Sequence, residues 1–234
     1  MKEQLYTIPV NEAFDTDCEC PVCVMYRNLE KESIDYTLGP SYMEDDVRAV
    51  TDKSGFCEKH AGLLYRKQNA LGLALIMKTH MDEMIAEVED LVGKPAIGGG
   101  LFKKKDAPVV EYLRKLETSC FVCERVADFF ERYIATIFYL YEKEPDFRAK
   151  FAQCKGFCNK HFALLYEEAQ KLSGRVQKEF LEMLGKLMIE NLKRVRDDLE
   201  WFTDKFDYRN ADAPWKNSQD ALPRTLLKTN SIDV

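Results

Sequence analysis

The hexapeptide GFCEKH occupies residues 55–60, and it returns as GFCNKH at residues 156–161. Each copy lies downstream of a Cys-x-x-Cys pair, which begins at Cys20 in one case and at Cys120 in the other. The spacing is also similar, because 33 residues separate the first pair from the cysteine of its hexapeptide and 34 separate the second. This agreement predicts an internal duplication, in which two related units are fused in one chain.

The repeated residues have the chemistry of metal ligands. Two cysteines three positions apart on the first turn of a helix point to the same side, as do a cysteine and a histidine with that spacing. Zinc in proteins prefers four tetrahedral thiolate and imidazole ligands. The spacing therefore predicts two Cys3His sites, one in each half: Cys20, Cys23, Cys57 and His60 in the first, and Cys120, Cys123, Cys158 and His161 in the second.

Two other interpretations of the cysteines stay open. Each half contains one further thiol, Cys18 or Cys154, so each half has enough ligands for an iron-sulfur cluster. A Cys-x-x-Cys pair can also be a redox dithiol, but the thioredoxin-like site needs a βαβ context that this sequence lacks. We expect two zinc ions per chain in structural sites, and an iron-sulfur or thiol-based oxidoreductase or electron carrier is the alternative.

The hydrophobic pattern predicts an all-α fold. Apolar residues recur at helical spacing in two long stretches, and no alternating strand pattern is found. Three consecutive glycines and a run of lysines within residues 93–107 are typical of a linker. We predict a helical bundle built from two duplicated halves, each stapled by its own metal site. Its segments are residues 1–92, the linker, residues 108–205, and an aromatic C-terminal segment at residues 206–234 that packs on the helices.

Three smaller features lead to further expectations. Gly55 and Gly156 precede the second ligand pair of each half, where they allow a tight turn into the ligand helix. His80 lies outside the hexapeptides on an apolar helix, and we expect it to be a packing residue rather than a ligand. Trp215 belongs to an aromatic stretch among turn-forming residues, so it either packs back on the helices or forms one wall of a pocket.

Composition and charge restrict the partners. The chain has 34 basic and 40 acidic residues, and its net charge of -6 disfavours binding to nucleic acid. The N-terminal sequence MKEQLYTIPVNEAF lacks the apolar core of a signal peptide, and the apolar run Leu73–Met77 is too short to span a bilayer. We therefore expect a cytoplasmic protein that binds an unidentified protein or small molecule, and neither nucleic acid nor a membrane. Thiols stay reduced in that compartment, which favours metal binding over disulfides.

Four stretches together resemble a known group of sequences: YTIPVNEAFDTDCECPVC, GFCEKH, GFCNKH and WFTDKFDYRNADAPW. They are similar to an uncharacterised bacterial family of unknown function, and the resemblance covers essentially the whole chain. It implies a helical, cysteine-rich protein and carries over no activity. From the residues alone we expect a binding or regulatory role rather than catalysis, and no catalytic residue is assigned.

Overall fold

A computed structural model of the chain describes residues 6–96 and 106–232. These residues form α-helices and short 3-10 turns with no strand, which confirms the predicted all-α class. The helices are α1 Thr7–Asp15, α2 Pro21–Thr37, α3 Asp45–Ser54, α4 Glu58–Arg66, α5 Ala70–Leu91, α6 Pro108–Thr118, α7 Phe121–Lys143, α8 Pro145–Gln153, α9 Asn159–Glu168, α10 Gly174–Asp204 and α11 Ala221–Asn230. Within the described ranges, no helix is long and apolar enough to cross a membrane.

The helices follow the same order after each Cys-x-x-Cys pair. A long helix of 17 residues (α2) or 23 residues (α7) begins at the pair and is followed by a short one of 10 (α3) or 9 residues (α8). A second short helix, α4 or α9, then carries the hexapeptide histidine, and a helix of 22 or 31 residues completes the series. Most of the linker predicted at residues 93–107 lies outside the described residues.

The chain divides into two compact units. Unit 1 contains the described residues of Met1–Arg27 and Phe130–Val234, and unit 2 contains those of Asn28–Phe129. The division falls inside α2 and inside α7, so each of these helices contributes its first turns to one unit and the rest to the other. The compact units therefore have different boundaries from the halves at residues 1–92 and 108–205 that the sequence suggests.

Unit 1 has an aromatic core. Phe151 and Phe180 are fully buried with their ring centroids 5.2 Å apart, and Phe14 packs edge-on against Phe147 at 4.9 Å. Phe157 of the second hexapeptide belongs to the same cluster, 5.4 Å from Phe151. The hexapeptide therefore attaches its ligand pair to the aromatic core of this unit, where aromatic side chains bury large apolar areas.

Unit 2 is held by α3 against α5. The guanidinium of Arg48 donates to the Thr79 hydroxyl at 2.6 Å and to the Leu75 carbonyl at 3.0 Å. His80 is buried and its Nδ1 lies 2.7 Å from the Asp52 carbonyl oxygen. His80 thus has the satisfied packing role expected for it. Its imidazole lies so close to Gly55 that a Cβ there would be 2.6 Å from Nε2.

The C-terminal residues combine a loop with a helix that the sequence did not predict. Lys205 donates from Nζ to three loop carbonyls, those of Asn210, Ala211 and Ala213, at 2.6 to 2.8 Å. Trp215 lies 6.0 Å from Phe202, measured between ring centroids. After this loop, α11 packs on α9 and α10, which brings the end of the chain back to the second hexapeptide.

Candidate metal centres

Three sulfurs and one imidazole converge at one place in unit 1. This group, site 1, consists of Cys20, Cys23, Cys158 and His161, whose ligand atoms all lie within 4.8 Å of one another. The Nδ1 atom of His161 is 3.5 Å, 3.3 Å and 3.3 Å from the sulfurs of Cys20, Cys23 and Cys158. The sulfurs of Cys23 and Cys158 are 3.6 Å apart. All four side chains are buried.

Unit 2 contains an equivalent group, site 2, formed by Cys57, His60, Cys120 and Cys123. The Nδ1 atom of His60 is 3.3 Å from the sulfurs of Cys57 and Cys120 and 3.2 Å from that of Cys123. The sulfurs of Cys57 and Cys123 are 3.8 Å apart. His60 and Cys120 are buried, Cys57 is half-buried and Cys123 is exposed.

These separations match the edges of a tetrahedron around one metal ion. With zinc at about 2.3 Å from sulfur and about 2.0 Å from nitrogen, tetrahedral angles place two sulfurs about 3.8 Å apart and a sulfur and a nitrogen about 3.5 Å apart. The observed sulfur pairs, 3.6 and 3.8 Å, and the sulfur–nitrogen pairs, 3.2 to 3.5 Å, agree with these values. All eight cysteines are free thiols. Both groups therefore fit a single ion of the size and ligand preference of zinc.

The pairing of the ligands differs from the prediction. In the sequence, Cys20 and Cys23 were expected to meet Cys57 and His60, whereas in the structure they meet the Cys-x-x-His pair of the other hexapeptide. Likewise Cys120 and Cys123 meet Cys57 and His60, not Cys158 and His161. The predicted pairing within each half is wrong, although the eight residues gather into two Cys3His groups.

Helix lengths explain the exchange. After the first Cys-x-x-Cys pair, α2 runs for 17 residues, or about 25 Å, and the next helix, α3, has only 10 residues, or about 15 Å. After the second pair, the difference is larger, because α7 has 23 residues and α8 only 9. A short helix cannot return the chain along the full length of a long one. The Cys-x-x-His pair of each half therefore gathers with the Cys-x-x-Cys pair of the other half.

Each site lies where two helices begin. Cys57 and Cys158 are the N-cap residues of α4 and α9, and Cys20 and Cys120 immediately precede α2 and α7. Free backbone N–H groups and the positive end of the helix dipole favour thiolates at such positions. In site 2, for example, the backbone N–H of Cys123 donates to the Cys120 sulfur at 3.4 Å.

Two glycines shape the approach to the hexapeptide ligands. Gly55 and Gly156 have φ values of 56° and 77°, in the left-handed region that favours glycine. The Gly55 carbonyl oxygen accepts a hydrogen bond of 3.0 Å from the Phe121 N–H, directly after Cys120. This bond joins the two ligand segments of site 2, and the expected tight turn is found in both copies.

The cysteines within each group differ widely in pKa because their sulfurs lie so close together. Hydrogen bonds from the Cys20 and Cys23 thiols hold the pKa of Cys158 far below its usual range. The partnership with Cys158 raises the pKa of Cys23 to about 12, and burial raises the pKa of Cys20 well above its usual value. In site 2, desolvation of the Cys123 sulfur by its neighbours raises the pKa of Cys123 to about 12, although the residue as a whole is exposed. Three adjacent thiolates would repel one another, so thiols of each group keep their protons when no cation is bound. A bound cation displaces these protons and offsets the repulsion between the thiolates.

The two histidines have different outer partners. In site 2, His60 Nε2 lies 3.1 Å from the carboxylate of Glu30 on α2, and Lys59 pairs with the same carboxylate at 2.5 Å. A carboxylate behind a ligating imidazole fixes its orientation and raises its basicity. In site 1, the buried Nε2 of His161 has no hydrogen-bond partner in the described part of the chain, and the ring of Phe130 lies 5.8 Å from the imidazole.

The C-terminal helix covers site 1. Just after α11, the Ser231 hydroxyl lies 3.2 Å from the Cys158 sulfur, to which it donates. Lys228 of α11 is 1% exposed, and its Nζ donates to the Glu19 carbonyl at 2.6 Å and also to the Lys155 carbonyl. Both carbonyls belong to segments that lead into ligands of site 1. This buried ammonium therefore holds the two ligand segments together and places a positive charge beside the thiolates.

The two cysteines outside the groups share a different place. Cys18 and Cys154 line one cavity of about 270 Å³ in unit 1, together with Lys150 and Lys155. Burial raises the pKa of Cys154 to about 11. Neither residue belongs to a Cys3His group.

The contacts of Glu30, Ser231 and Lys228 with the two sites could not be predicted from the sequence, because such contacts depend on how distant helices pack.

The fold and the two groups define an all-α protein with paired Cys3His centres. The chain belongs to a family of unknown function, DUF6062, whose model matches residues 1–234. This match confirms the resemblance to an uncharacterised family. The chain is also 25% identical over 205 residues to an uncharacterized 23.9 kDa protein in the xynA 3' region of Caldicellulosiruptor sp. (strain Rt8B.4), an alignment that covers 85% of this chain and 87% of that protein. No solved structure matches this chain.

Proposed function

We propose that this protein is a cytoplasmic zinc-binding protein with two structural sites that keep the helices in shape for a binding or regulatory role. The observation that carries the proposal is the convergence of three sulfurs and one Nδ1 atom within 4.8 Å, in each of two places. Four protein ligands complete the tetrahedral shell of zinc, which is typical of structural rather than catalytic sites. We expect two zinc ions per chain.

The compactness of each group also favours one ion over the iron-sulfur alternative. A cluster holds its thiolate ligands on two or more irons, and ligands on different irons lie farther apart than the edge of a single tetrahedron. Sulfur pairs of 3.6 and 3.8 Å support a single ion in each site. In addition, Cys18 and Cys154, the fifth candidate ligands, lie outside both groups.

We also propose that the chain arose by internal duplication. The repeated order of helices, the repeated glycine turn and the use of Nδ1 in both histidines support this origin. Because the ligands are exchanged between the repeats, each zinc ion would bind residues from both copies. The two copies would then depend on each other for metal, which gives a physical reason for their remaining fused in one chain.

A cavity in unit 2 supports a role in binding. It has a volume of about 730 Å³ between α3, α5 and α6, with Val50 and Leu116 as apolar lining. Charges of both signs surround it, including Lys53, Lys115 and Glu83. Such a lining suits a small molecule or peptide of mixed charge. Thermal-shift screening of the wild-type protein would identify a ligand for this cavity. The substitution Lys53→Glu should then weaken the binding of that ligand.

Elemental analysis and an ultraviolet-visible spectrum of the protein, purified without added metal and under anaerobic conditions, test the zinc proposal. The expected result is colourless protein with about two zinc ions per chain, as expected from two sets of four ligands. Cys57→Ser and Cys158→Ser should each lower the zinc content and the melting temperature, with Cys18→Ser as the matched control. A brown protein that bleaches on reduction, or unchanged zinc content in both variants, would contradict the proposal.

A further inference from the structure

The two sites have the same ligands but differ in access. In site 1, the sulfurs of Cys20, Cys23 and Cys158 belong to residues that are at most 5% exposed. In site 2, Cys123 is exposed and Cys57 is half-buried. A reagent in solution therefore reaches two sulfurs of site 2, while those of site 1 are buried.

Covering contacts increase this difference. The Ser231 hydroxyl donates to the Cys158 sulfur, and Lys228 joins the two ligand segments of site 1. A hydrogen bond to a thiolate withdraws electron density and lowers its nucleophilicity, and burial prevents the approach of a reagent. Site 1 is thus protected both chemically and sterically.

Site 2 places the sulfurs of its two accessible cysteines close together, on separate helices. Cys57 lies at the start of α4 and Cys123 in the first turn of α7, with their sulfurs 3.8 Å apart. A disulfide requires about 2.05 Å, so the two sulfurs need to approach by about 1.8 Å. The third sulfur of the site, Cys120, is 1% exposed and is poorly placed to react with a reagent in solution.

We propose that site 2 is a thiol-reactive zinc centre that exchanges with low-molecular-weight disulfides and releases its metal, whereas site 1 stays closed. This inference rests on the proposed zinc function and assigns a reaction to one of the two sites. The partner is a small disulfide of the glutathione class.

The reaction balances in two steps. The exposed Cys123 sulfur, which bound zinc would hold as a thiolate, attacks one sulfur of the disulfide RSSR, forms a Cys123–S–SR mixed disulfide and releases one thiolate, RS⁻. The Cys57 thiolate then attacks the Cys123 sulfur, forms the Cys57–Cys123 disulfide and releases the second RS⁻. Two cysteine thiolates are oxidised by two electrons in total, and RSSR is reduced to two thiolates. Only Cys120 and His60 would then remain to hold zinc in site 2, and two ligands are too few to retain the ion.

Contacts of Glu30 and Lys59 should allow site 2 to bind zinc again after its disulfide is reduced. The carboxylate of Glu30 orients His60 through Nε2 independently of the thiolates, and Lys59 holds that carboxylate. When a thiol reductant restores Cys57 and Cys123, the imidazole is already in position to bind zinc again. The release is therefore expected to be reversible.

The test uses the full chain loaded with zinc, in a Cys18→Ser/Cys154→Ser background that removes the two thiols outside the sites. Oxidised glutathione is added, zinc release is followed with a chromogenic chelator, and disulfides are located by peptide mass spectrometry. We expect one zinc ion per chain to be released about tenfold or more faster than the other, together with a Cys57–Cys123 disulfide. In Cys57→Ser/Cys120→Ser, both thiols that could displace glutathione from Cys123 are missing, so the glutathione adduct on Cys123 should persist.

The outcomes separate this inference from the proposed function. If the protein holds two zinc ions and both leave at the same rate, or if site 1 cysteines appear in the first disulfide, the reactive-site inference is wrong while the zinc function stands. If the purified protein holds no zinc, the proposed function itself is wrong. Recovery of zinc binding after treatment with excess reduced thiol is expected, and permanent loss would contradict the reversible exchange.

Discussion

The exchanged pairing of ligands predicts how metal content responds to pairs of substitutions. A ligand removed from either site should cost that site its ion. Two substitutions within one site should therefore cost no more metal than one, whereas substitutions in different sites should cost both ions. We compare Cys23→Ser/Cys158→Ser, which damages only site 1, with Cys23→Ser/Cys57→Ser, which damages both sites.

The magnitude follows from the ligand count. Structural zinc binds with a free energy on the order of 10 kcal/mol or more, so one ligand of four contributes about 2.5 kcal/mol, equivalent to roughly seventy-fold in affinity. A competing chelator whose affinity lies between those of the intact and the damaged site should remove zinc from the damaged site only. After dialysis against it, the first double variant should retain about one ion and the second almost none.

Native mass spectrometry of the purified chain counts these ions directly. The single variants Cys23→Ser, Cys57→Ser and Cys158→Ser serve as references, and each should retain one ion. Pairing within each half leads to the opposite result, because Cys23 and Cys57 would then belong to one site. One ion in Cys23→Ser/Cys57→Ser and none in Cys23→Ser/Cys158→Ser would refute the exchanged arrangement.

Four further outcomes follow from the contacts. Glu30→Gln should weaken zinc binding at site 2 about 10- to 100-fold, while the exposed Glu32→Gln on the same helix should not, as measured by chelator competition. Gly55→Ala should lower the free energy of unfolding by about 1–3 kcal/mol because it adds strain at positive φ, whereas Gly62→Ala in the open interior of α4 should be neutral or stabilising in urea denaturation. Lys228→Met should destabilise the chain by about 3 kcal/mol in the same assay, since it leaves buried carbonyls and a carboxylate without their cation. Raised pKa values keep thiols of both sites protonated at pH 7, so zinc must displace protons in order to bind. The apparent affinity for zinc should therefore fall as the pH falls, by about tenfold per displaced proton per pH unit in a chelator titration.

The sequence predicted which residues form the two Cys3His groups, but not which pairs combine in each group. Each Cys-x-x-Cys and Cys-x-x-His pair is a feature of one helical turn, where spacing determines direction. Which pair meets which depends on the difference in length between long and short helices, and the hydrophobic pattern locates helix ends only to within a few residues. The count of ligands per site was therefore predictable, and the identity of the partners was not.

The C-terminal helix was missed for a different reason. Turn-forming residues precede Pro223, yet Pro223 is the third residue of α11. Proline is tolerated in the first turn of a helix, where its missing N–H has no partner to lose. Once α11 forms, it brings Lys228 and Ser231 to site 1, which local spacing cannot reveal because these residues lie 70 or more positions beyond the hexapeptide cysteine.

A single equivalent position accounts for much of the difference between the sites. Glu30 and Phe130 each lie seven residues after the second cysteine of their Cys-x-x-Cys pair, yet each contacts a histidine of the other site. One gives His60 a carboxylate, and the other gives His161 an aromatic ring and leaves its Nε2 without a partner. Since the ligands of the two sites are identical in kind, their reactivities can differ only through burial and such outer contacts. On the proposed duplication, a substitution at this matched position changed the contacts of the two histidines, and the addition of α11 covered the Cys158 sulfur of one site alone.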